Sequence, residues 1–287
     1  MKNVYSRSFE SAPPPRNIST TSISSKNLYF LIKSWYTSDM KHHKNKKAFT
    51  LAEVLITLGI IGVVVALTLP NLIANYKKKS TVEQLKVAYS TLSQAVEASK
   101  KDHEDISNWD FSLGTDAFVK EYLAPYLKLT NVGAYHAPSI PGHNYFFYYL
   151  GTNTYDLTNQ SVVLHSTAKA YIYSLPNGML VTIAVYKSHT FNIGTCVMRI
   201  DINGTAKPNM LGKDVFAFTF TDSYPKLTPG IANQFAHYKY STEDLLKSST
   251  TGGCNIEANA NWGAAPGDAC SAVIIKDGWK IRKEYPW

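Results

Sequence analysis

Between residues 49 and 72 the chain is almost continuously apolar, and Glu53 is the only charged side chain in that stretch. From 73 to about 104 the pattern becomes periodic: Val82, Leu85, Tyr89, Leu92 and Val96 recur at steps of three and four, with Lys, Gln, Glu and Ser between them. One long helix is predicted, its first half uniformly apolar and its second half carrying a single apolar stripe. A shorter helix is expected over 116–127, where Phe118, Val119, Tyr122 and Leu123 share a face. The chemistry then turns to strand at 145–150, 170–173, 179–186, 195–202 and 215–220, with Pro176-Asn177-Gly178 as a hairpin signal between the second and third. Asn203-Gly204, Pro208 and Gly212 mark a loop between the last two strands, 222–270 reads as loop-rich, and 269–275 suits either strand or helix. A helix laying its stripe on an antiparallel sheet buries both faces, so the expected class is α+β.

At about 1.5 Å rise per residue, a helix over 49–72 spans roughly 36 Å, enough to cross a hydrocarbon core of about 30 Å. Lys46 and Lys47 precede it and Lys77, Lys78 and Lys79 follow it, flanks that a buried helix of a soluble protein does not need. A secretory signal has an apolar core of only about 7–15 residues, and Thr68-Leu69-Pro70-Asn71 makes a poor cleavage site. A carboxylate in lipid costs on the order of 2.5–3.5 kcal/mol, so Glu53 is read as functional; a plain anchor has no use for it.

The formal net charge of +8 and sequence pI near 9.1 would suit nucleic acid, but the location of the charge argues otherwise. Residues 1–48 hold nine Lys or Arg against two acids, and the remainder holds 20 against 19, so the excess belongs to the leader. It serves topology: lysines before the span hold that end in the cytoplasm, a bias weakened by the lysines at 77–79. Residues 1–39, rich in Ser and Thr and containing Pro13-Pro14-Pro15, lack the material for a core. Translation is expected to start at Met40, which opens a leader of ordinary length.

The run from Lys46 through Ala48, Phe49, Thr50, Leu51 and Glu53 to Pro70 resembles the cleavage and methylation motif of type IV prepilins and type II secretion pseudopilins. Ala48 stands where that family usually has glycine. The resemblance implies that a prepilin peptidase cuts between Ala48 and Phe49 and methylates the new amine of Phe49. It implies that Glu53 pairs with the amine of a neighbouring subunit, and that the apolar helix, with Gly59 and Gly62 permitting close approach, packs against sister helices. Pro70 falls where the family's helix often kinks or melts. The stretch from Asp201-Ile202-Asn203-Gly204 to Phe216, and the tail from Asp277 to Trp287, are similar to uncharacterised secretion-type pseudopilins. The implied fold is the pilin-like lollipop, divided into a leader (1–48), a membrane and assembly helix (49–72), its amphipathic continuation (73–104) and an α+β head (105–287).

Three cysteines follow the span, Cys196, Cys254 and Cys270, and three pairings exist. Cys254 with Cys270 is favoured, because Gly252, Gly253, Gly263, Pro266 and Gly267 mark a loop that needs closing; three free buried thiols are the alternative. Asp201, Asn203 and Asp214 are oxygen donors in or beside a Gly-containing loop, which suits calcium, and some pseudopilins resembling this chain bind calcium in their heads. Asp-x-Asn-Gly is also an ordinary turn, and the EF-hand spacing is absent. No hydrolase, zinc-protease or phosphate-loop motif occurs, and the eight histidines show no ligand-like spacing, so no enzyme is expected. Trp279 and Trp287 are the expected exposed aromatics.

The expected function is a structural, minor subunit of a type II secretion pseudopilus or type IV pilus-like filament. The alternative is a membrane-anchored extracytoplasmic binding protein or adhesin. The expected partners are the prepilin peptidase and methyltransferase, other pilin or pseudopilin subunits and the inner-membrane assembly platform, with no nucleic acid. The expected location is the bacterial inner membrane, single-pass, with the N-terminus cytoplasmic and the head outside.

Overall fold

The computed structural model describes residues 50–135, 148–149, 152–153, 157, 170–188, 192–231, 237–247, 250–259 and 264–287. The leader, Ala48 and Phe49 lie outside these described residues. The chain divides into two compact units, 1–65 and 66–287. The described part of the first is helix from Leu51 onward, the opening of α1 (Leu51–His103).

In the second unit α1 continues through Pro70 without a break. The resemblance implied a kink or a melted turn there, and the turn is not melted. A proline removes one N–H and crowds the carbonyl four residues back. In an apolar stretch, however, every other backbone group is satisfied only by staying helical. From Thr81 to Ser99 the helix buries Val82, Leu85, Ala88, Leu92, Ala95 and Val96, the stripe read from the sequence filled in by alanines. Tyr89 sits at its margin, 5.7 Å from the Phe218 ring and 5.8 Å from Trp279, centroid to centroid. The helix stops where Glu104 turns left-handed (φ 63°), after a last turn carrying Lys100, Lys101 and His103, cations that suit its negative end.

The helix expected over 116–127 is two short ones, α2 (Thr115–Tyr122) and α3 (Ala124–Leu127), separated at Leu123 just ahead of the helix that carries Pro125 in its first turn. They bury Phe118, Val119, Leu123 and Leu127. The main sheet is antiparallel with the order β1 (Thr130–Tyr135), β4 (Ala170–Ser174), β5 (Leu180–Lys187), β6 (Gly194–Asp201), β7 (Val215–Thr221), β8 (Thr228–Pro229). β1 and the edge strand β8 were not foreseen. Of 145–150 only Tyr148–Tyr149 (β2) is described, and it pairs with Thr152–Asn153 (β3) in a separate two-stranded sheet. The Pro176-Asn177-Gly178 turn closes β4 onto β5, with Leu175 N–H donating to Met179 O at 2.9 Å and Gly178 at φ 84°.

Both faces of the sheet are covered. Cys196, Met198 and Ile200 of β6 share one core with Phe216, Phe218 and Phe220 of β7 and with Leu85 and Leu92 of α1. The alternate residues Val197, Arg199 and Asp201 are buried too. Segments from the loop-rich region and the β6–β7 loop lie over them: Ala264, Ala265, Ile231 and Leu211 pack against Val197, Ala217, Ala184 and Val215 in two small clusters. Arg199 holds that cover down. Its Nε and Nη2 donate to the two Asp268 oxygens at 2.8 Å each, with Asp268 fully buried, and Ala265 N–H donates to the same carboxylate at 2.8 Å. Segment 269–275 resolves as helix: α4 (Cys270–Lys276) starts beside the bridge between Cys254 and Cys270. Cys196 is free and buried, and burial pushes its thiol far above the ordinary range. Trp279 and Trp287 are half-buried rather than exposed, the first against Tyr89.

Candidate functional site

The start of α1 is built by Thr50 and Glu53. Thr50 N–H and Oγ1 donate to Glu53 Oε2 at 2.9 and 3.0 Å, and Glu53 N–H donates to Thr50 Oγ1 at 3.2 Å. This is a reciprocal capping box, which satisfies N–H groups that a helix N-terminus otherwise leaves without partners. Thr50 was not singled out from the sequence, although Thr-x-x-Glu before an apolar run is its signature. The box gives Glu53 a local role and holds its carboxylate at the first turn. Phe49, whose amine the resemblance pairs with Glu53, lies outside the described residues.

Beyond the box, the large apolar side chains from Leu51 to Ile73 are 42–77% exposed. The most apolar 18-residue window of α1 has a mean hydropathy of 2.4 and no residue buried within the chain. Helix length and composition are therefore those of a membrane span. Cβ atoms added to Gly59 and Gly62 would meet nothing within 4 Å, so no contact among the described residues calls for glycine at either position. Three residues apart, they lie on one helix face.

The Asp201, Asn203 and Asp214 cluster closes the loop between β6 and β7. Asp214 accepts from Asn209 N–H at 2.8 Å, Met210 N–H at 2.6 Å and the Asn203 side-chain amide at 3.2 Å. Asn203 N–H donates to Asp201 Oδ1 at 3.1 Å. Asn203 thus turns a donor, not an oxygen, toward Asp214, whose oxygens are already engaged by N–H groups. Calcium takes six to eight oxygens, whereas Asp214 is met here by N–H donors and Asp201 Oδ2 is a buried oxygen without a hydrogen bond among the described residues. Among the described residues no group of three or more His, Cys, Asp or Glu could hold a metal ion. The cluster forms the turn at the end of β6, where Asp201 lies opposite Val215.

Burial, and secondly the Asp214 charge, push the Asp201 carboxyl up to about 8. The folded chain therefore binds a proton that the unfolded chain releases near pH 4, so this contribution to stability is present in acid and lost as pH rises from about 4 through 8. Asp201→Asn is expected to remove that dependence. In detergent solution, the melting temperature of the variant minus that of the native protein rises between pH 5 and pH 8; a constant difference would contradict the protonated carboxyl.

The apolar helix, its Thr50–Glu53 opening and the sheet behind it define a membrane-anchored α+β protein of type IV pilin-like class. Residues 43–69 match the prokaryotic N-terminal methylation motif, the signature of type IV prepilins and pseudopilins. Residues 71–287 match a family of unknown function (DUF6613), and the chain belongs to that family. No curated protein and no solved structure matches it.

Proposed function

We propose that this protein is a structural, minor subunit of a type II secretion pseudopilus or type IV pilus-like filament. A prepilin peptidase cuts it between Ala48 and Phe49 and methylates Phe49. The helix then waits in the inner membrane with its N-terminus cytoplasmic and its head outside, until the assembly platform moves it into the filament.

The observation that carries this reading is the apolar half of α1, exposed along its whole length and opening on Glu53. Soluble monomers rarely expose contiguous apolar patches beyond a few hundred Å². Lipid covers such a surface before assembly, and sister helices cover it afterwards. Gly59 and Gly62 support the second state, since small residues let helix backbones approach. An anchored binding protein, the competing reading, leaves both glycines without a use and Glu53 with its cap alone. A non-catalytic head is supported by where its reactive groups lie. Cys196 is in the core, and His237 is fully buried, its Nδ1 accepting from Ile231 N–H at 3.1 Å and its Nε2 2.7 Å from Thr251 O.

Gly59→Leu with Gly62→Leu is expected to leave membrane insertion and processing intact while sharply reducing the sheared filament fraction. Filament yields equal to those of the native chain would count against close helix packing.

A further inference from the structure

Past the apolar run, the part of α1 from Tyr76 to Gln84 forms one wall of a cavity of about 470 Å³. Tyr76, Lys77 and Ser80 line that wall, Lys207 and Lys213 from the β6–β7 loop line the other, and Trp287 sits at the rim. Lys78 Nζ lies 5.9 Å from the Trp287 ring centroid, adding a cation at that rim. None of Lys77, Lys207 and Lys213 forms an ion pair among the described residues. Asp214 is the one acid in the lining, and its carboxylate is engaged by N–H groups and only 3% exposed. Three lysines therefore converge on a cavity with little opposing charge, of a size suited to a small ligand.

Its depth identifies the ligand. Leu72 closes the apolar run, and Tyr76 follows at about 6 Å along the helix. The polar layer of a bilayer extends roughly 5–8 Å beyond the hydrocarbon on each side. The cavity therefore opens at headgroup level, with Tyr76 and Trp287 at the interface that tyrosine and tryptophan favour. We propose that it binds the phosphate headgroup of an anionic phospholipid in the outer leaflet of the membrane that holds the subunit before assembly. This rests on the anchored orientation proposed above. A lipid clasp there fixes helix and head at one depth and is released when the subunit leaves the bilayer.

The test titrates the full-length chain in neutral detergent micelles with short-chain phosphatidylglycerol, phosphatidylcholine and inorganic phosphate, counting bound lipid by native mass spectrometry. Saturable binding of one phosphatidylglycerol is expected, at least tenfold tighter than phosphatidylcholine. Lys77→Ser, Lys207→Ser and Lys213→Ser together are expected to weaken it by about two orders of magnitude, at roughly fivefold per lysine. An unchanged melting temperature of the triple variant shows that it folds. Equal affinity for the two lipids, retention of phosphatidylglycerol by a folded triple variant, or phosphate binding as tightly as the lipid would each overturn the proposal. Assembly plays no part in this readout, so a failure of the filament reading alone would leave the binding result standing.

Discussion

A Glu53→Ala chain is expected to insert and be processed like the native protein, yet to yield no filament above background. The reason lies in two magnitudes. Carrying a carboxylate within a membrane helix costs on the order of 2.5–3.5 kcal/mol. The Thr50–Glu53 box returns only about 0.5–2 kcal/mol, the range for losing an N-terminal cap. The cap offsets that cost only in part, and in the proposed filament the methylated amine of Phe49 on a neighbouring subunit supplies the opposing charge. Thr50→Ala serves as the control. It removes the cap and leaves the carboxylate, and filament yield should fall only modestly. Sheared-filament yield normalised to processed subunit separates the two variants. Normal yield from Glu53→Ala would mean that the capping box is the whole role of this residue.

The second large effect is expected in the head. Asp268→Ala leaves the Arg199 guanidinium, 2% exposed, without its bidentate partner and removes the acceptor for Ala265 N–H. Stripping one member from a buried pair costs about 3–5 kcal/mol, far more than losing an exposed pair such as Lys86–Glu83, worth roughly 0–1 kcal/mol. Replacing both partners by apolar residues, Arg199→Met with Asp268→Leu, is expected to recover most of the loss, because no buried charge then stands alone. Denaturant unfolding in detergent measures both. A single variant within about 1 kcal/mol of the native protein would show the pair to be solvated.

What could be read from the sequence follows from how local each signal is. The stripe Val82, Leu85, Tyr89, Leu92, Val96 and the Pro176-Asn177-Gly178 turn are encoded within a few residues, and both sit where they were expected. The pairing of Cys254 with Cys270 was legible because glycines crowd the loop it closes. The outer cover of the sheet was not legible. Arg199 and Asp201 alternate with apolar residues as solvent-facing positions do, and it is Asp268, 69 residues from Arg199, that pairs the arginine in the core. The same distance in sequence hid the cavity, whose lysines come from α1 and from a loop more than a hundred residues later. Glu53 was found from its cost in lipid, whereas its partner Thr50 was overlooked because its hydroxyl looked ordinary in a helix start. At Asn203 and Asp214 composition offers oxygen donors of the kind calcium takes, while the N–H groups of Asn209 and Met210, which donate to Asp214, are legible only in the folded loop.

The most direct test of the assembly account is the intact mass of the native protein recovered from membranes. The expected chain begins at Phe49 and carries one added methyl group on its amine. A mass that still includes Lys47 and Ala48, with Phe49 unmodified, would mean that the amine invoked for Glu53 is never made.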